Sequence, residues 1–196
     1  MKCAHAVGID EAGRGALAGP VSVGAVLVRN DFDWTLIQGV ADSKKVSPKR
    51  REEIFLLARR LQREGKLKFV VALVSHTVID RKGITYAVRK GIEKVLLSLA
   101  PNPKNTFIKL DGLLHAPERF IHQRTIIKGD VTEKEISLAS IMAKVTRDRY
   151  MVRIAKKYPS FGFEVHKGYG TKRHQLALKK AGLSVIHRTT FTHLRK

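Results

Sequence analysis

Short runs of apolar and β-branched residues predict five β-strands along the chain. Each run is only a few residues long and is bounded by glycine, proline or aspartate, which is typical of strands in a buried sheet. The runs cover residues 6–9, 20–28, 67–74, 106–110 and 124–128. A glycine-rich turn joins the first two, and stretches with helical periodicity separate most of the others. This order predicts an α/β domain.

Helix start and stop signals lie between these runs. Ser47 precedes Pro48, a residue favoured in the first helical turn, and predicts a helix to about residue 64. A long helix is predicted over about 77–99. The sequence Thr-Glu-Lys-Glu at 132–135 has the capping-box pattern and predicts a helix to about 157. A loop rich in glycine and aromatic residues follows over 159–172, and then a short helix.

Four acidic residues follow the predicted strands. Asp10 and Glu11 end the first strand, whereas Asp111 and Asp130 follow the last two. If these strands are neighbours, the carboxylates converge on one sheet edge, where they repel one another and raise each other's pKa values. Mg²⁺ and similar cations, which take oxygen ligands, remove that penalty, and a pair of them can hydrolyse a phosphodiester. One such acid alone could simply mark a turn, but four together predict a metal-dependent nuclease.

Adjacent residues on a regular strand face opposite ways, so Asp10 and Glu11 cannot both line one site if the strand continues. We therefore expect the strand to bend there. Gly13 and Gly15 follow at once and permit such a bend.

Asp148 is a fifth candidate, on the apolar face of the helix predicted after residue 132. A carboxylate on such a face is costly unless it is paired or bound to metal. It could therefore act beside the metal site, or form a structural pair with Lys144 or Arg147. The sequence leaves both interpretations open.

The charge of the chain predicts a polyanionic partner. Lysine and arginine number 38 against 17 aspartates and glutamates, which gives a net charge of +21. Nucleic acid is the expected partner, since each neutralised phosphate releases counterions. The basic residues are concentrated in 44–68 and 144–196, so an acidic centre would lie in a basic cleft. A ribosomal RNA-binding protein or a thermophile's solvated surface would show a similar charge.

Length and cysteine content limit the class of protein further. The 196 residues suit one domain, and the single cysteine, Cys3, excludes an internal disulfide and fits a reducing compartment. No apolar run approaches the roughly 20 residues of a membrane span. We therefore expect a cytoplasmic protein without a membrane partner.

Five sequence blocks resemble those of the ribonuclease HII family. GIDEAGRG at 8–15, followed by AGPV at 18–21, resembles the family's opening signature. The further blocks are DSKK at 42–45, SLASIMAKVTRD at 137–148, HKGYGT at 166–171 and HRTTF at 187–191. They occur in family order and span nearly the whole chain. Ala16 replaces a frequent proline and Phe161 a common tyrosine, which affects only the stiffness of two loops.

The resemblance implies a ribonuclease H-like fold, a mixed central sheet flanked by helices, with a substrate-binding C-terminal helical portion at about 159–196. It also implies a site for two Mg²⁺ or Mn²⁺ ions, and we expect Asp148, from its place on the helix, to lie in this site or in the shell of residues around its ligands. The implied ligands are Asp10, Glu11, Asp111 and Asp130. Gly13, Arg14 and Gly15 would contact the 2′-hydroxyl and the adjacent phosphate. Tyr169 would pack on the sugar at the RNA–DNA junction, and Ser43 and Lys44 would approach phosphates.

The implied activity is cleavage on the 5′ side of ribonucleotides, in RNA–DNA hybrids and in duplex DNA, by a monomer that leaves 5′-phosphate and 3′-hydroxyl ends. The related ribonuclease HIII prefers longer hybrid stretches and usually carries an added N-terminal domain; because the metal motif here begins at residue 10, we expect no such domain and favour ribonuclease HII. An RNA-binding protein would not need four strand-end acids, and the presence of all four disfavours an inactive relative. Tyr169 could instead only anchor its loop, and His166 could contact metal or phosphate or, as we favour, only cap the loop.

Overall fold

The centre of the structure is a mixed sheet. The computed structural model describes residues 3–40 and 46–192. The strands are β1 (His5–Ala12), β2 (Val21–Arg29), β3 (Lys68–Val74), β4 (Thr106–Asp111) and β5 (Gln123–Ile126), in the order β3-β2-β1-β4-β5. The pairs β1–β2 and β2–β3 are antiparallel, and the pairs β1–β4 and β4–β5 are parallel. The expected mixed sheet is therefore confirmed.

Helices cover both faces of this sheet. The described residues form α1 (Pro48–Arg63), α2 (His76–Lys82), α3 (Ile84–Leu99), α4 (Gly129–Thr132), α5 (Lys134–Ala155), α6 (Phe163–His166) and α7 (Lys172–Ala181). Short 3-10 turns lie at Trp34–Ile37 and Pro159–Phe161. Side chains alternate along β1, so that Val7 and Ile9 pack towards α3 while Ala6 packs towards α1 and α5. No helix in this described part is long and apolar enough to cross a membrane.

Helix α5 lies unusually close to the sheet because two glycines face it. A Cβ at Gly8 would overlap the backbone of Glu135, and one at Gly24 would overlap the carbonyl of Ala139. Gly24 pairs with Asp10 across β1 and β2. The missing side chains therefore let α5 approach the point where the first predicted acid lies.

Two helix predictions are wrong in detail. The predicted helix over 77–99 is divided into α2 and α3 at Gly83, whose φ of 83° lies outside the helical region. The capping box at 132–135 does not form, because Thr132 ends α4 and Glu133 precedes α5 without a side-chain cap. Instead, Glu133 and Glu135 both accept hydrogen bonds from Lys109 on β4, at 2.7 and 3.2 Å.

The C-terminal portion packs around its own apolar cluster. Phe161, Phe163 and Leu178 pack there against Met151 near the end of α5. This cluster joins α6 and α7 to the helix that crosses the sheet, so the C-terminal portion lies beside the strand ends.

Candidate active site

A cleft of about 350 Å³ lies where β1 and β4 end. Seven of the predicted site residues line it: Asp10, Glu11, Gly13, Arg14, Gly15, Asp111 and Tyr169. Arg51, Ser140 and Lys144 lie in the same wall. The structure thus brings together, from distant parts of the chain, the acidic residues, the glycine loop (Gly13, Arg14 and Gly15) and Tyr169.

Asp10 is the most buried carboxylate of this cleft, at 6% exposed. Its Oδ1 accepts a hydrogen bond from the backbone N–H of Glu11 at 2.7 Å. Burial raises the pKa of Asp10 to about 8; a hydrogen bond with Ser140 opposes that shift, and the charges of Glu11 and Asp111 add to it. Asp10 therefore lies near enough to two other acids for their charges to act on it.

Glu11 reaches the same cleft without the predicted bend in β1. Pairing with β2 continues regularly to Ala12, so the expectation of a bend at Asp10 is wrong. Pairing with β4 stops at Ile9, which leaves this edge of β1 open beyond that residue. The Glu11 side chain lines the cleft there and accepts a hydrogen bond from Arg14 Nη1 at 3.0 Å. Burial raises the pKa of Glu11, and Arg14 opposes the shift.

Asp111 and Asp130 are joined through the backbone. Asp111 is the last residue of β4, as predicted, and its Oδ1 accepts a hydrogen bond from the N–H of Gly129 at 2.7 Å. Asp130 follows in the first turn of α4 and is 1% exposed. It lies in this short helix rather than directly after a strand, since β5 ends at Ile126. The cleft lining includes Asp111 but not Asp130.

The donor chemistry of the cleft fits hard divalent cations. Three carboxylates from β1 and β4 line it, and the raised pKa of Asp10 reflects a penalty that a cation would relieve. Within residues 3–40 and 46–192, no three His, Cys, Asp or Glu side chains already stand around one ion position. The acids are therefore gathered in one place but not closed around a common point.

Asp148 faces a neighbouring groove instead of this cleft. It lines that groove with residues of α1 and α5, and its Oδ1 accepts a hydrogen bond from Lys144 Nζ at 2.8 Å. Lys144 itself lines the acidic cleft, and its Nζ lies 5.4 Å from the centre of the Tyr169 ring. Of the two interpretations left open by the sequence, the geometry favours the pair with Lys144.

Two buried arginines support the loops around the cleft, a role that sequence reasoning did not predict for either of them. Arg147, 0% exposed, donates hydrogen bonds to the carbonyls of Ala18, Pro20 and Lys167 at 2.8–3.1 Å. Gly13 has a φ of 86°, and a Cβ there would overlap the Arg147 side chain. The signal in the sequence was an arginine on a helix face that otherwise carries small and apolar residues.

Arg188 holds the glycine loop itself. It is also 0% exposed, and it donates to the carbonyls of Gly13 and Arg14 at 2.8 Å and of Gly19 at 3.0 Å. Burial lowers the pKa of Arg188 to about 9, and the charge of Arg147 adds to that shift. Nothing in the local sequence indicated this contact, because its partners precede it by about the length of the domain.

The remaining predicted residues are placed as follows. His166 is buried and bonded within its own loop: its Nδ1 accepts from the N–H of Gly168 at 3.2 Å, and its Nε2 donates to the carbonyl of Phe161 at 2.7 Å. This agrees with the loop role that we favoured. Ser43 and Lys44 lie outside the described residues.

A mixed five-stranded sheet with carboxylates at the ends of adjacent parallel strands is the architecture of ribonuclease H-like nucleases. Comparison with known proteins defines the family: the model of ribonuclease HII matches residues 7–194. The ribonuclease HII of Caldicellulosiruptor bescii is 44% identical over 184 residues, which cover 94% of this chain and 84% of that protein. The chain therefore belongs to the ribonuclease HII family.

Solved structures agree with this assignment. In the structure of the PCNA:RNase HII complex from Archaeoglobus fulgidus, one chain has a TM-score of 0.77 and 28% identity, over 97% of this chain and 96% of that one. The ribonuclease H2 of Pyrococcus horikoshii gives a TM-score of 0.70 and 28% identity, over 95% and 93%. Family membership makes the protein a ribonuclease H, a metal-dependent hydrolase of RNA in RNA–DNA hybrids.

Proposed function

We propose that this enzyme cuts the phosphodiester bond on the 5′ side of a ribonucleotide, both in RNA–DNA hybrids and at ribonucleotides embedded in duplex DNA. The products would carry 5′-phosphate and 3′-hydroxyl ends. The observation that supports this proposal best is the cleft itself, where the carboxylates of Asp10, Glu11 and Asp111 lie beside the glycine loop and Tyr169. One cavity thus contains oxygen ligands for cations together with groups that can contact the sugar of a ribonucleotide.

Asp10, Glu11, Asp111 and Asp130 would hold two Mg²⁺ or Mn²⁺ ions. When bound, such ions supply the Lewis acid that activates water and stabilises the leaving oxygen. Because the charges of Glu11 and Asp111 both act on Asp10, these three carboxylates would hold the ions together. Because the carboxylates must be ionised to bind cations, metal affinity should fall as the pH decreases. Asp148 would act on this centre only by orienting Lys144.

The glycine loop and Tyr169 would select the ribonucleotide. Only the 2′-hydroxyl distinguishes RNA from DNA at a given position, so a selective enzyme must contact it. Gly15 has open space where a Cβ would stand, which allows a sugar to approach the backbone. Arg188 fixes the adjacent carbonyls of Gly13 and Arg14. Tyr169 offers its ring to the same cleft.

Basic side chains would hold the phosphates. Arg51, Lys144 and Arg14 line the cleft around the acids, and the net charge of +21 attracts a polyanion from a distance. Ser43 and Lys44 stay predicted phosphate contacts. We further propose that the enzyme acts as a monomer in the cytoplasm, where removal of ribonucleotides from DNA belongs to replication and repair.

The decisive experiment uses a DNA duplex with one embedded ribonucleotide. With Mg²⁺ or Mn²⁺ present, we expect a single nick 5′ of the ribonucleotide, and with EDTA no nick. Asp10→Asn should abolish cleavage while duplex binding persists, since the substitution removes a ligand and a negative charge. Asp31→Asn is the control, because Asp31 is an exposed acid beyond the opposite end of β2. Near-normal cleavage by Asp10→Asn, or cleavage of hybrids without any nick at the embedded ribonucleotide, would contradict the proposal.

A further inference from the structure

Two buried histidines are hydrogen-bonded to each other, and one of them is hydrogen-bonded to the backbone carbonyl of Tyr169. Neither has a part in the proposed chemistry. His174, on α7, is 0% exposed and His187, in the C-terminal segment, is 2% exposed. Their Nε2 atoms are 2.9 Å apart. Such a pair needs a defined arrangement of protons, since two N–H groups or two lone pairs facing each other would repel.

The backbone at each end fixes this arrangement. The carbonyl of Tyr169 can only accept, so His174 Nδ1, 2.9 Å away, carries the proton and His174 Nε2 carries a lone pair. His187 Nε2–H therefore donates to His174 Nε2. His187 Nδ1 is then an acceptor for the N–H and the hydroxyl of Ser184, at 2.9 and 2.8 Å, and the carbonyl of Ser184 is its longer contact at 3.3 Å. Both rings are neutral, and one directed chain runs from Ser184 to Tyr169.

Aromatic side chains hold the pair in place. Phe161 lies 4.9 Å from the His187 ring, and Phe163 lies 5.4 Å from the His174 ring, measured between ring centres. The His166 ring stacks on His174 at 4.4 Å. The position of the His174 Nδ1–H is therefore determined by packing as well as by hydrogen bonding.

The carbonyl at the end of the chain belongs to the loop that presents Tyr169 to the cleft. On the other side of this loop, the carbonyl of Gly168 accepts hydrogen bonds from the N–H groups of Leu17 and Ala18, at 2.8 and 3.3 Å. The Tyr169 ring then lies 5.2 Å from Arg147 Cζ. A change at His174 would move the backbone of Tyr169 relative to the glycine loop.

We propose that the His187–His174 pair is a positioning device that sets Tyr169 for recognition of the RNA–DNA junction. The inference rests on the proposed role of Tyr169 in substrate selection. His174 and His187 are positioning residues, because they act on the substrate only through the tyrosine.

Two substitutions at one position separate positioning from general packing. In His174→Asn, the amide can occupy the place of Nδ1 and still donate to the Tyr169 carbonyl. In His174→Gln, the amide reaches the place of Nε2, so the bond to Tyr169 is lost while contact with His187 is kept. The measured quantity is the ratio of kcat/KM for a duplex with one embedded ribonucleotide to kcat/KM for a continuous RNA strand on DNA.

We expect His174→Gln to lower this ratio about tenfold, as the loss of one buried hydrogen bond allows, and His174→Asn to keep it near the wild-type value. In a Tyr169→Ala background, which should itself lower the ratio, His174→Gln should change it no further. A purely structural role would reduce both rates equally and leave the ratio unchanged. An unchanged ratio in His174→Gln, or an equal further drop in the Tyr169→Ala background, would overturn the proposal.

The proton arrangement can be measured without activity. Nitrogen-15 NMR of the wild-type protein at neutral pH should show His174 protonated at Nδ1 and His187 at Nε2; the opposite tautomer at His174 would refute the chain. The cleavage assay distinguishes failure of the proposed function from failure of this inference. If the proposed function is wrong, the wild-type enzyme leaves the embedded ribonucleotide uncut. If only this inference is wrong, wild-type cleavage and the effect of Tyr169→Ala are both retained.

Discussion

Acid should destabilise this protein through His187. Burial lowers the pKa of His187 from 6.5 to about 4, and the neighbouring His174 adds to that shift. Between these two values the unfolded chain binds a proton that the folded protein does not. The free energy of unfolding therefore falls as the pH decreases through this interval, and the contribution of His187 is complete above pH 6.5.

The separation of the two pKa values corresponds to about 3 kcal/mol at pH 4. That is a large part of the 5–15 kcal/mol that typically stabilises a folded protein. His166 and His174 also have lowered pKa values, mainly from burial, and act in the same direction. Asp10 opposes them, because its raised pKa keeps it protonated in the folded state, where the unfolded chain is ionised. The pH profile of one protein cannot therefore isolate His187.

The contribution of His187 can be isolated from the difference in unfolding free energy between the wild-type protein and a variant at this position. Urea unfolding of wild type and His187→Gln should be compared at several pH values from 4 to 7.5, since the glutamine amide can replace Nε2 but cannot take up a proton there. We expect the variant to be less stable at pH 7.5 and the gap to narrow by about 3 kcal/mol towards pH 4. Exposed His115→Gln is the control and should keep the wild-type profile. Parallel profiles for wild type and His187→Gln would refute the reasoning.

Three other substitutions test the packing and the site separately. Gly24→Ala should reduce the free energy of unfolding by about 1–3 kcal/mol, because the new methyl group overlaps the Ala139 carbonyl; unchanged urea stability would contradict this close approach. Arg188→Met should destabilise by about 3 kcal/mol or more, since two buried carbonyls and one partly buried carbonyl lose this donor, and a melting temperature equal to wild type would refute it. Asp148→Asn should cost at most about 1 kcal/mol, because it breaks only the partly exposed pair with Lys144, and should keep cleavage within a few-fold; a loss of activity beyond a hundredfold would place Asp148 at the metal centre instead.

The arrangement of acids could be predicted from the sequence because it follows from strand periodicity. Alternation along β1 places Asp10 on the α5 side, where Ala6 and Gly8 also lie, and Asp111 ends the parallel neighbour of that strand. Parallel strands deliver their carboxyl ends to one edge. Asp10 and Asp111 therefore meet because β1 and β4 are neighbours in the sheet, which was the condition that the sequence alone left open.

Other features depend on partners that the local sequence does not reveal. Thr132 and Glu135 match a capping box, but in the folded chain Glu135 and the neighbouring Glu133 both accept hydrogen bonds from Lys109 on β4. The break at Gly83 was hidden because the apolar spacing continues across it into α3. At the capping box and at Gly83, contacts formed only in the folded chain determine the structure, and local helix propensity does not.

The sequence blocks that identify the family are connected by hydrogen bonds in the folded chain. A match to all of them therefore indicates how the loops at the cleft are held, as well as which residues could bind metal. Arg147, in the helical block, donates to the carbonyls of Ala18 and Lys167, and so joins the opening and tyrosine-loop blocks. Arg188, in the final block, donates to Gly13, and the adjacent His187 reaches the Tyr169 carbonyl through His174. These buried donors hold the backbone carbonyls of the loops at the cleft. A substitution at either arginine should therefore disturb the glycine loop and the tyrosine loop together, although neither side chain belongs to the acidic cluster.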